Sequence, residues 1–395
     1  MKKIIFSISS LLVLVFQLKA QEDTNNNSSV AITTAIPILL IAPDSRSGAM
    51  GDAGVATSPD EYAIHWNAAK YAFIEKDFGF SLSYAPWLIN YVPDINIAKL
   101  AGFKRLDENQ AIAFSLLYFS YGKIPFTSNT GQPIGDYNPN ELAIDGAYSL
   151  KLGRNLSAAI ALRYIYSNLS GGFAGSETHP GHAYASDISV FYTKELKALN
   201  KSILNLGANF SNIGTKVSYS DAGATDFLPA NMRLGAGLTM KIDDYNKISF
   251  TTDINKLLVP TPPIYDPADQ TSILFGKDPE VSVITGILQS FGDAPGVLMS
   301  DGSRNVALEE FRELTFSAGV EYWYANQVAA RAGYFHEHAS KGNRKFVTVG
   351  LGIKLNAVGI DFAYLIPATV SNPLQNTVRF SLYLNFNQPV TTTKQ

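Results

Sequence analysis

Cysteine is absent from all 395 residues, which excludes disulfides and thiolate metal sites. Charge is scarce as well: 16% of residues are Asp, Glu, Lys or Arg, where a soluble domain carries roughly a quarter. After the first twenty positions no run of about 18 apolar residues occurs, so no transmembrane helix is expected. The apolar stretch from Ile36 to Ala42 is far too short, and Pro37 interrupts it. An excess of positive charge is missing too. The formal net charge is −3 and becomes −6 once Lys2, Lys3 and Lys19 are set aside, which argues against nucleic acid as a partner.

What is present points to a membrane by another route. Aromatics make up 12% of the chain, yet the mean hydropathy is only +0.03. Strands that alternate lipid-facing and lumen-facing residues average to such a neutral value, whereas membrane helices do not. The first segment agrees with export. Lys2 and Lys3 precede an apolar run from Ile4 to Leu18, and Leu18-Lys19-Ala20 resembles a small-residue cleavage site, so residues 1–20 read as a signal peptide. Residues 21–42 read as a periplasmic leader, polar and Asn-rich from Gln21 to Ser29, then apolar and extended from Val30 to Ala42.

From Asp77 the pattern is of strands, about fourteen of them, each near the length that a tilted membrane strand needs. The alternation is plainest near the end. Val378, Phe380, Leu382, Leu384 and Phe386 share one face, and Thr377, Arg379, Ser381 and Asn385 the other. Arg233, Gly235 and Gly237 likewise oppose Met232, Leu234 and Ala236. Every second connection is short, as at Asp107–Asn109, Gly153–Asn155, Asp243–Asn246 and Asn356–Ala357, while the others are longer and rich in Gly and Pro. Outer-membrane barrels show this asymmetry between periplasmic turns and extracellular loops. The expected fold is therefore all-β: a transmembrane antiparallel β-barrel over residues 77–387, with residues 388–395 as a tail.

Residues 43–76 do not fit the strand pattern. Gly48, Ala49, Gly51, Ala53, Gly54 and Ala56 crowd the first half. In the second half Ser58, Pro59 and Glu61 form a capping-box signature, and Tyr62, Ala63, Trp66 and Ala69 follow at helical spacing. A fourteen-strand barrel encloses a lumen too wide for wall side chains alone. This segment is therefore read as an N-terminal plug containing a short helix, entering from the periplasmic side.

Chemistry is harder to find. His336 and His338 lie two apart with Glu337 between them, and a polar strand rim explains them better than a metal does. Arg163, Arg233, Lys241, Asp253, Lys354, Asp361 and Arg379 are expected to face the lumen, as a polar path or as ion-paired filling. Gly235-Ala236-Gly237 is mid-strand and makes no phosphate loop. No catalytic, cofactor or metal site is assigned. The connection from Val259 to Phe311 is another matter, because structureless loops beyond about 15 residues are usually functional. It carries an expected helix near Pro279–Phe291. Ile284, Leu288, Phe291, Val297 and Leu298 are candidate partner-binding residues that either fold over the mouth or meet another protein.

The plug segment resembles the N-terminal signature of the FadL-like outer-membrane barrels. Within them it is similar to the PorV (LptO) family of the type IX secretion system of Bacteroidetes. The residues that carry this are Ala42-Pro43-Asp44-Ser45-Arg46, Met50-Gly51-Asp52-Ala53-Gly54-Val55-Ala56, Ser58-Pro59-Asp60 and His65-Trp66-Asn67-Ala68-Ala69-Lys70. Ala68 stands where the pattern usually has Pro. Arg46, Met50, Gly51, Gly54, Trp66 and Asn67 are its candidate site residues. The resemblance implies a non-enzymatic protein of the outer membrane. Its implied partners are a large translocon barrel, secreted cargo with C-terminal targeting domains, sortase-like surface-attachment proteins and outer-membrane lipid. The alternative is a FadL-like transporter of hydrophobic small molecules, which needs an apolar lumen pocket joined to a lateral opening. A shuttle needs a closed lumen and apolar loops outside.

Overall fold

The computed structural model describes residues 31–387, apart from residues 89–91, 93, 128–129, 170–177, 198–200, 222, 224, 270 and 369–373. The signal peptide, the polar part of the leader and the tail lie outside the described residues.

Fourteen antiparallel strands close into one barrel. They are β1 (Phe78–Pro86), β2 (Asn96–Arg105), β3 (Gln110–Ser120), β4 (Asn140–Lys151), β5 (Leu156–Asn168), β6 (Gly181–Leu196) and β7 (Ser202–Gly214). The second half comprises β8 (Asn231–Lys241), β9 (Asn246–Leu257), β10 (Thr315–Tyr324), β11 (Val328–His336), β12 (Lys345–Leu355), β13 (Val358–Pro367) and β14 (Val378–Phe386). Each pairs with its sequence neighbour, and β1 closes the ring against β14 through pairs such as Leu82 with Leu382. Closure leaves no unpaired edge, as a lipid environment requires.

The polarity of the wall is the reverse of a soluble protein's. Exposed outward residues include Leu82, Leu100, Leu116, Ile160, Leu206, Leu234, Leu351 and Leu382. Tyr84, Tyr118, Tyr184 and Tyr334 ring the long-loop end, and Tyr148, Tyr322, Tyr324 and Phe386 the short-turn end. An apolar band between two aromatic girdles is what a bilayer selects. Inside, Ser81, Ser115, Asp145, Arg163, Asn209, Asp253, Glu321 and Arg379 are buried. Strand parity places them all on the lumen side. Lys241 has lumen parity too, but it sits at the exposed strand end and pairs with Asp244.

The plug fills that lumen, and between residues 42 and 74 none of its residues is exposed. Its course corrects the expected entry from the periplasmic side. Ala35 N–H bonds to Phe227 O in a long loop, while Asp77 N–H bonds to Phe386 O at the short-turn end. The described chain therefore runs from the long-loop mouth down to the start of β1. Residues 31–42 are not extended throughout. Pro37–Leu40 forms a 3-10 turn, and Ile36, Ile38 and Leu39 pack on Ile97, Leu117, Phe119 and Ile165 of the wall.

The capping box is also corrected. The helix is a single turn, α2 (Ala63–Trp66), with no side-chain cap from Tyr62 before it. Ser58 Oγ instead accepts a bond from Arg46 Nη2, and the Glu61 carboxylate is taken by Asn385 of the wall. Tertiary partners outbid the local cap. A second one-turn helix, α1 (Ser45–Gly48), precedes it and is capped by Asp44. Ala68–Phe73 continues as 3-10 turns capped by Asn67.

The long connection holds more structure than expected. Its helix is shorter, α3 (Val283–Gln289), and a further helix, α4 (Val306–Arg312), occupies residues read as the loop's end and the first residue of a strand. Two small hairpins, Ile264–Tyr265 with Ile273–Phe275 and Val297–Leu298 with Arg304–Asn305, complete it.

Candidate functional site: the plugged lumen and the outer loop

Arg46 is the centre of the plug. Its guanidinium makes two bonds to Glu321, Nη2 to Oε1 at 2.7 Å and Nε to Oε2 at 3.0 Å, and Nη1 reaches Asp60 at 2.7 Å. Glu321 also takes Arg331 Nε at 2.7 Å, and Arg331 Nη1 reaches Asp361 at 2.7 Å. Tyr62 Oη donates to the second Asp361 oxygen at 3.2 Å. Two guanidiniums and three carboxylates thus alternate across the lumen. Forked, doubly bonded pairs of this kind are the form in which buried charge is tolerated. Lys70, fully buried, donates to Thr57 Oγ1 at 2.8 Å and Gly54 O at 3.1 Å.

The remaining signature residues dock backbone to wall. Gly54 and Val55 N–H both donate to Asp253 Oδ2, at 2.7 and 2.9 Å. Gly51 N–H donates to Thr348 Oγ1 at 2.9 Å. Gly51 has φ +69°, and a Cβ there would lie 2.4 Å from Tyr334 O, so glycine is required twice over. The Met50 backbone lies against Gly319 and Gly333 of β10 and β11, where a Cβ would approach within 2.4 and 2.1 Å of the plug. Trp66 Nε1 donates to Asp44 Oδ2 at 2.6 Å, and its ring covers Gly54 and lies 4.6 Å from the Arg233 guanidinium. Asn67 Nδ2 donates to Val55 O and to Val190 O of β6, at 3.1 and 2.9 Å.

The structure therefore brings Arg46, Met50, Gly51, Gly54, Trp66 and Asn67 to one plug-to-wall interface. Among the expected lumen charges, Arg163 is paired with Asp145 at 2.5 Å and Asp187 at 3.0 Å, and Arg379 lies 3.6 Å from Asp52. Glu321 escaped the sequence reading, although its lumen parity in β10 was available as a signal. His338 accepts from Ser340 N–H in a 3-10 turn, and Glu337 is held by Arg344 at 2.8 Å. Neither is free to act with His336.

Two cavities open toward the ends of the lumen. A cavity of about 370 Å³ opens at the long-loop mouth, lined by Ile32, Leu40, Trp87, Phe335, Arg233 and Arg344 among others. One of about 190 Å³ lies toward the short-turn end beside Arg46, Lys247, Trp323 and Lys354. The two share no lining residue, because the plug stands between them.

Above the mouth the long loop is clamped. Lys256 reaches Glu310 at 2.9 Å and Glu313 at 2.7 Å, and Lys341 reaches Glu309 at 2.7 Å and Glu313 at 3.1 Å. On α3, Gly286 rests on Phe227, and Ile287 packs with Ala230, Leu258 and Val259. Ile284 and Leu288 of α3 point away from Gly286 and are 62% and 71% exposed, and Phe291, just past the helix, is 51% exposed. Leu298 is exposed beside them in sequence, and Val297 is half-buried in its hairpin. The loop thus displays large apolar groups while Glu309, Glu310 and Glu313 are turned inward to the lysines.

Comparison with known proteins agrees with this architecture. Residues 23–264, more than half of the chain, match the family described as type IX secretion system protein PorV. Among solved structures, the Pseudomonas putida toluene transporter TodX is similar at 13% identity and a TM-score of 0.50, covering 89% of this chain and 100% of its own. A Pseudomonas aeruginosa FadL homologue is similar at 12% identity and a TM-score of 0.43, covering 91% of this chain and 100% of its own. No curated protein matches the sequence.

Proposed function

The chain belongs to the PorV family of the type IX secretion system, an outer-membrane barrel family without enzymatic activity, and from that premise we propose that it works as a shuttle. In this reading it binds the large translocon barrel, receives secreted cargo through its C-terminal targeting domain, and passes it to sortase-like attachment proteins at the surface. The observation that carries the reading is the pairing of a filled lumen with a clamped outer loop whose apolar face is displayed. Ile284 and Leu288 sit at i and i+4 on α3, and Phe291 follows two residues after the helix ends. Exposed apolar patches on an ordered element mark interaction sites.

Affinity purification of the tagged protein from outer membranes tests this. A very large barrel and exported cargo should come with the wild type. The triple variant Ile284→Ser, Leu288→Ser, Phe291→Ser should lose one or both while keeping the heat-modifiable gel mobility of a folded barrel. Deleting the gene should retain surface proteins in the periplasm and leave fatty-acid uptake intact.

The second reading is a transporter of hydrophobic small molecules. What favours it is the partly apolar cavity at the long-loop mouth. What weighs against it is the plug between that cavity and the other end. Normal secretion with defective uptake in the deletion strain would choose it over the shuttle.

A further inference from the structure

The cavity at the short-turn end holds positive charge that the plug leaves unmatched. Plug residues 58–61 line it together with Lys247, Trp323, Lys354 and Tyr383 of the wall. Lys247 shares the lumen face of β9 with Asp253, and Lys354 that of β12 with Thr348, so strand parity turns both lysines inward. Deeper in, charge is matched. Arg46, Arg331 and Lys70 meet three carboxylates, Glu321, Asp60 and Asp361, with Lys70 Nζ 3.7 Å from Asp60 Oδ1. Glu61 is the remaining carboxylate of the pocket, and it takes the Asn385 amide.

Against Glu61 stand Lys247 and Lys354, whose charges repel each other. Neither ammonium has a hydrogen bond or ion pair among the described residues. Other lysines at this end are engaged: Lys241 reaches Asp244 at 2.8 Å, and Lys151 reaches Glu108 O at 2.6 Å. The pocket therefore carries an excess of one positive charge, and two like charges held together are relieved by an anion that joins them. Trp323 Nε1 and Tyr383 Oη line the same space without a hydrogen bond among the described residues. Asp60 and Asp361 are spent on Arg46, Arg331 and Tyr62. What the pocket offers is mostly donors.

Size and position narrow the ligand. At about 190 Å³ the cavity is smaller than the ~300–1,000 Å³ of sites that enclose a whole small ligand. One side chain fits, with its backbone left outside. The aromatic walls are braced, Trp323 lying 5.5 Å from the Arg331 guanidinium and Tyr383 meeting Tyr62 edge-on at 6.1 Å. Such walls pack the methylenes of an acidic side chain while the lysines take its end. One carboxylate also supplies the one negative charge that is missing. The short-turn end faces the periplasm, so the carboxylate comes from there.

We infer that the pocket is a docking socket for an acidic side chain: a glutamate or aspartate of a periplasmic protein enters past Trp323, and its carboxylate bridges Lys247 and Lys354. The socket lies at the other end of the barrel from the exposed apolar loop, and it does not depend on which cargo that loop meets.

The test uses the full-length barrel in detergent at low salt, with Trp323 fluorescence as the readout. Trp87→Phe removes the indole at the long-loop mouth, and Trp66 is 1% exposed, so Trp323 reports. The probe is an acetylated, amidated triglutamate peptide, with triglutamine as its neutral counterpart. Triglutamate should change the emission saturably, and triglutamine should not. Lys247→Gln with Lys354→Gln should weaken triglutamate binding about tenfold, and either change alone about threefold. Lys241→Gln, which removes a paired lysine outside the pocket, should bind as the parent does. Each variant is checked for the heat-modifiable gel mobility of a folded barrel, and the single changes decide if the double variant does not fold. Equal triglutamate binding with and without the two lysines overturns the inference. So does an equal loss in Lys241→Gln, which would mean a general attraction to the rim. Free glutarate that binds as tightly as the peptide assigns the pocket to small carboxylates and overturns the protein socket.

Discussion

The plug and the long outer loop are both non-strand segments of one barrel, and they treat polarity in opposite ways. The plug buries Arg46, Asp60, Glu61 and Lys70 and exposes nothing between residues 42 and 74. The loop uses Glu309, Glu310 and Glu313 to fasten itself down and leaves Ile284, Leu288, Phe291 and Phe311 outside. Each choice follows from what the segment faces. Where strand parity lines the lumen with Asp, Glu and Arg, the plug must match it charge for charge, and where the wall offers Phe103 and Phe191 it packs Ile64 and Tyr71 against them. The loop at the mouth has Lys256 of β9 and Lys341 of a neighbouring 3-10 turn to fasten to. The difference separates a part that fills the lumen from a part that leaves large apolar side chains exposed.

The largest effect should come from removing the charge that centres the plug. Arg46→Ala leaves Glu321 and Asp60 facing one another with one guanidinium fewer. Breaking a buried pair in this way costs about 3–5 kcal/mol. The expected outcome is a lowered temperature for the gel-mobility shift and a measurable ion conductance in planar bilayers. Equal stability of Arg46→Ala and wild type would mean that the plug is held by packing alone.

A smaller effect tests the packing. Gly333→Val pushes a side chain into the Met50–Gly51 backbone, 2.1 Å from an ideal Cβ. Overpacking typically costs about 1–3 kcal/mol, and here the plug is the movable partner, so limited proteolysis should cut within residues 43–56. Gly146→Val is the control. It faces outward with nothing within 4 Å of its ideal Cβ, and it should leave both protease resistance and thermal shift unchanged.

The strands were legible because period-2 alternation is a local signal that a lipid-facing wall enforces at every second residue. The plug segment was legible because dense Gly and Ala is out of place ahead of strands, and its signature residues, Arg46 and Asn67 among them, were legible through the family resemblance. What they touch was not. Arg46 finds Glu321 across 275 positions of sequence, and no pattern within residues 43–76 points to β10. The capping box failed for the same cause, since a buried guanidinium outcompeted a helix end for Ser58. The direction of the plug was missed because residues 31–42 carry no period that says which end of the wall they suit. On the loop, Ile284, Leu288 and Phe291 were legible from helical spacing. Helix α4 was hidden by a short apolar pattern that reads equally well as the approach to β10, although Asn305, whose side chain accepts Leu308 N–H at 2.9 Å, was a capping signal.

The smallest effect concerns how firmly the loop is clamped. Asp293 is buried, accepting Thr261 N–H through Oδ2 at 3.2 Å, while Oδ1 has no partner among the described residues. Burial raises its carboxyl to about 6, Glu310 of α4 and Glu313 just after it adding to the rise and the Thr261 N–H opposing it. Lys256 of β9 engages both of these glutamates, and Lys341, in the 3-10 turn after β11, engages Glu313. A carboxyl that binds its proton more tightly in the folded loop stabilises the loop when protonated. That contribution is complete below about pH 4 and is lost as pH rises toward 6, with no further change above. Hydrogen exchange of the α3 amides, corrected for intrinsic rates, should therefore quicken across that window by up to about tenfold, the equivalent of one pKa unit. Asp293→Asn should flatten the profile while the plug's own exchange stays as it was. If plug and loop instead respond together, the two regions open as one unit and the contrast between the part that fills the lumen and the exposed part fails.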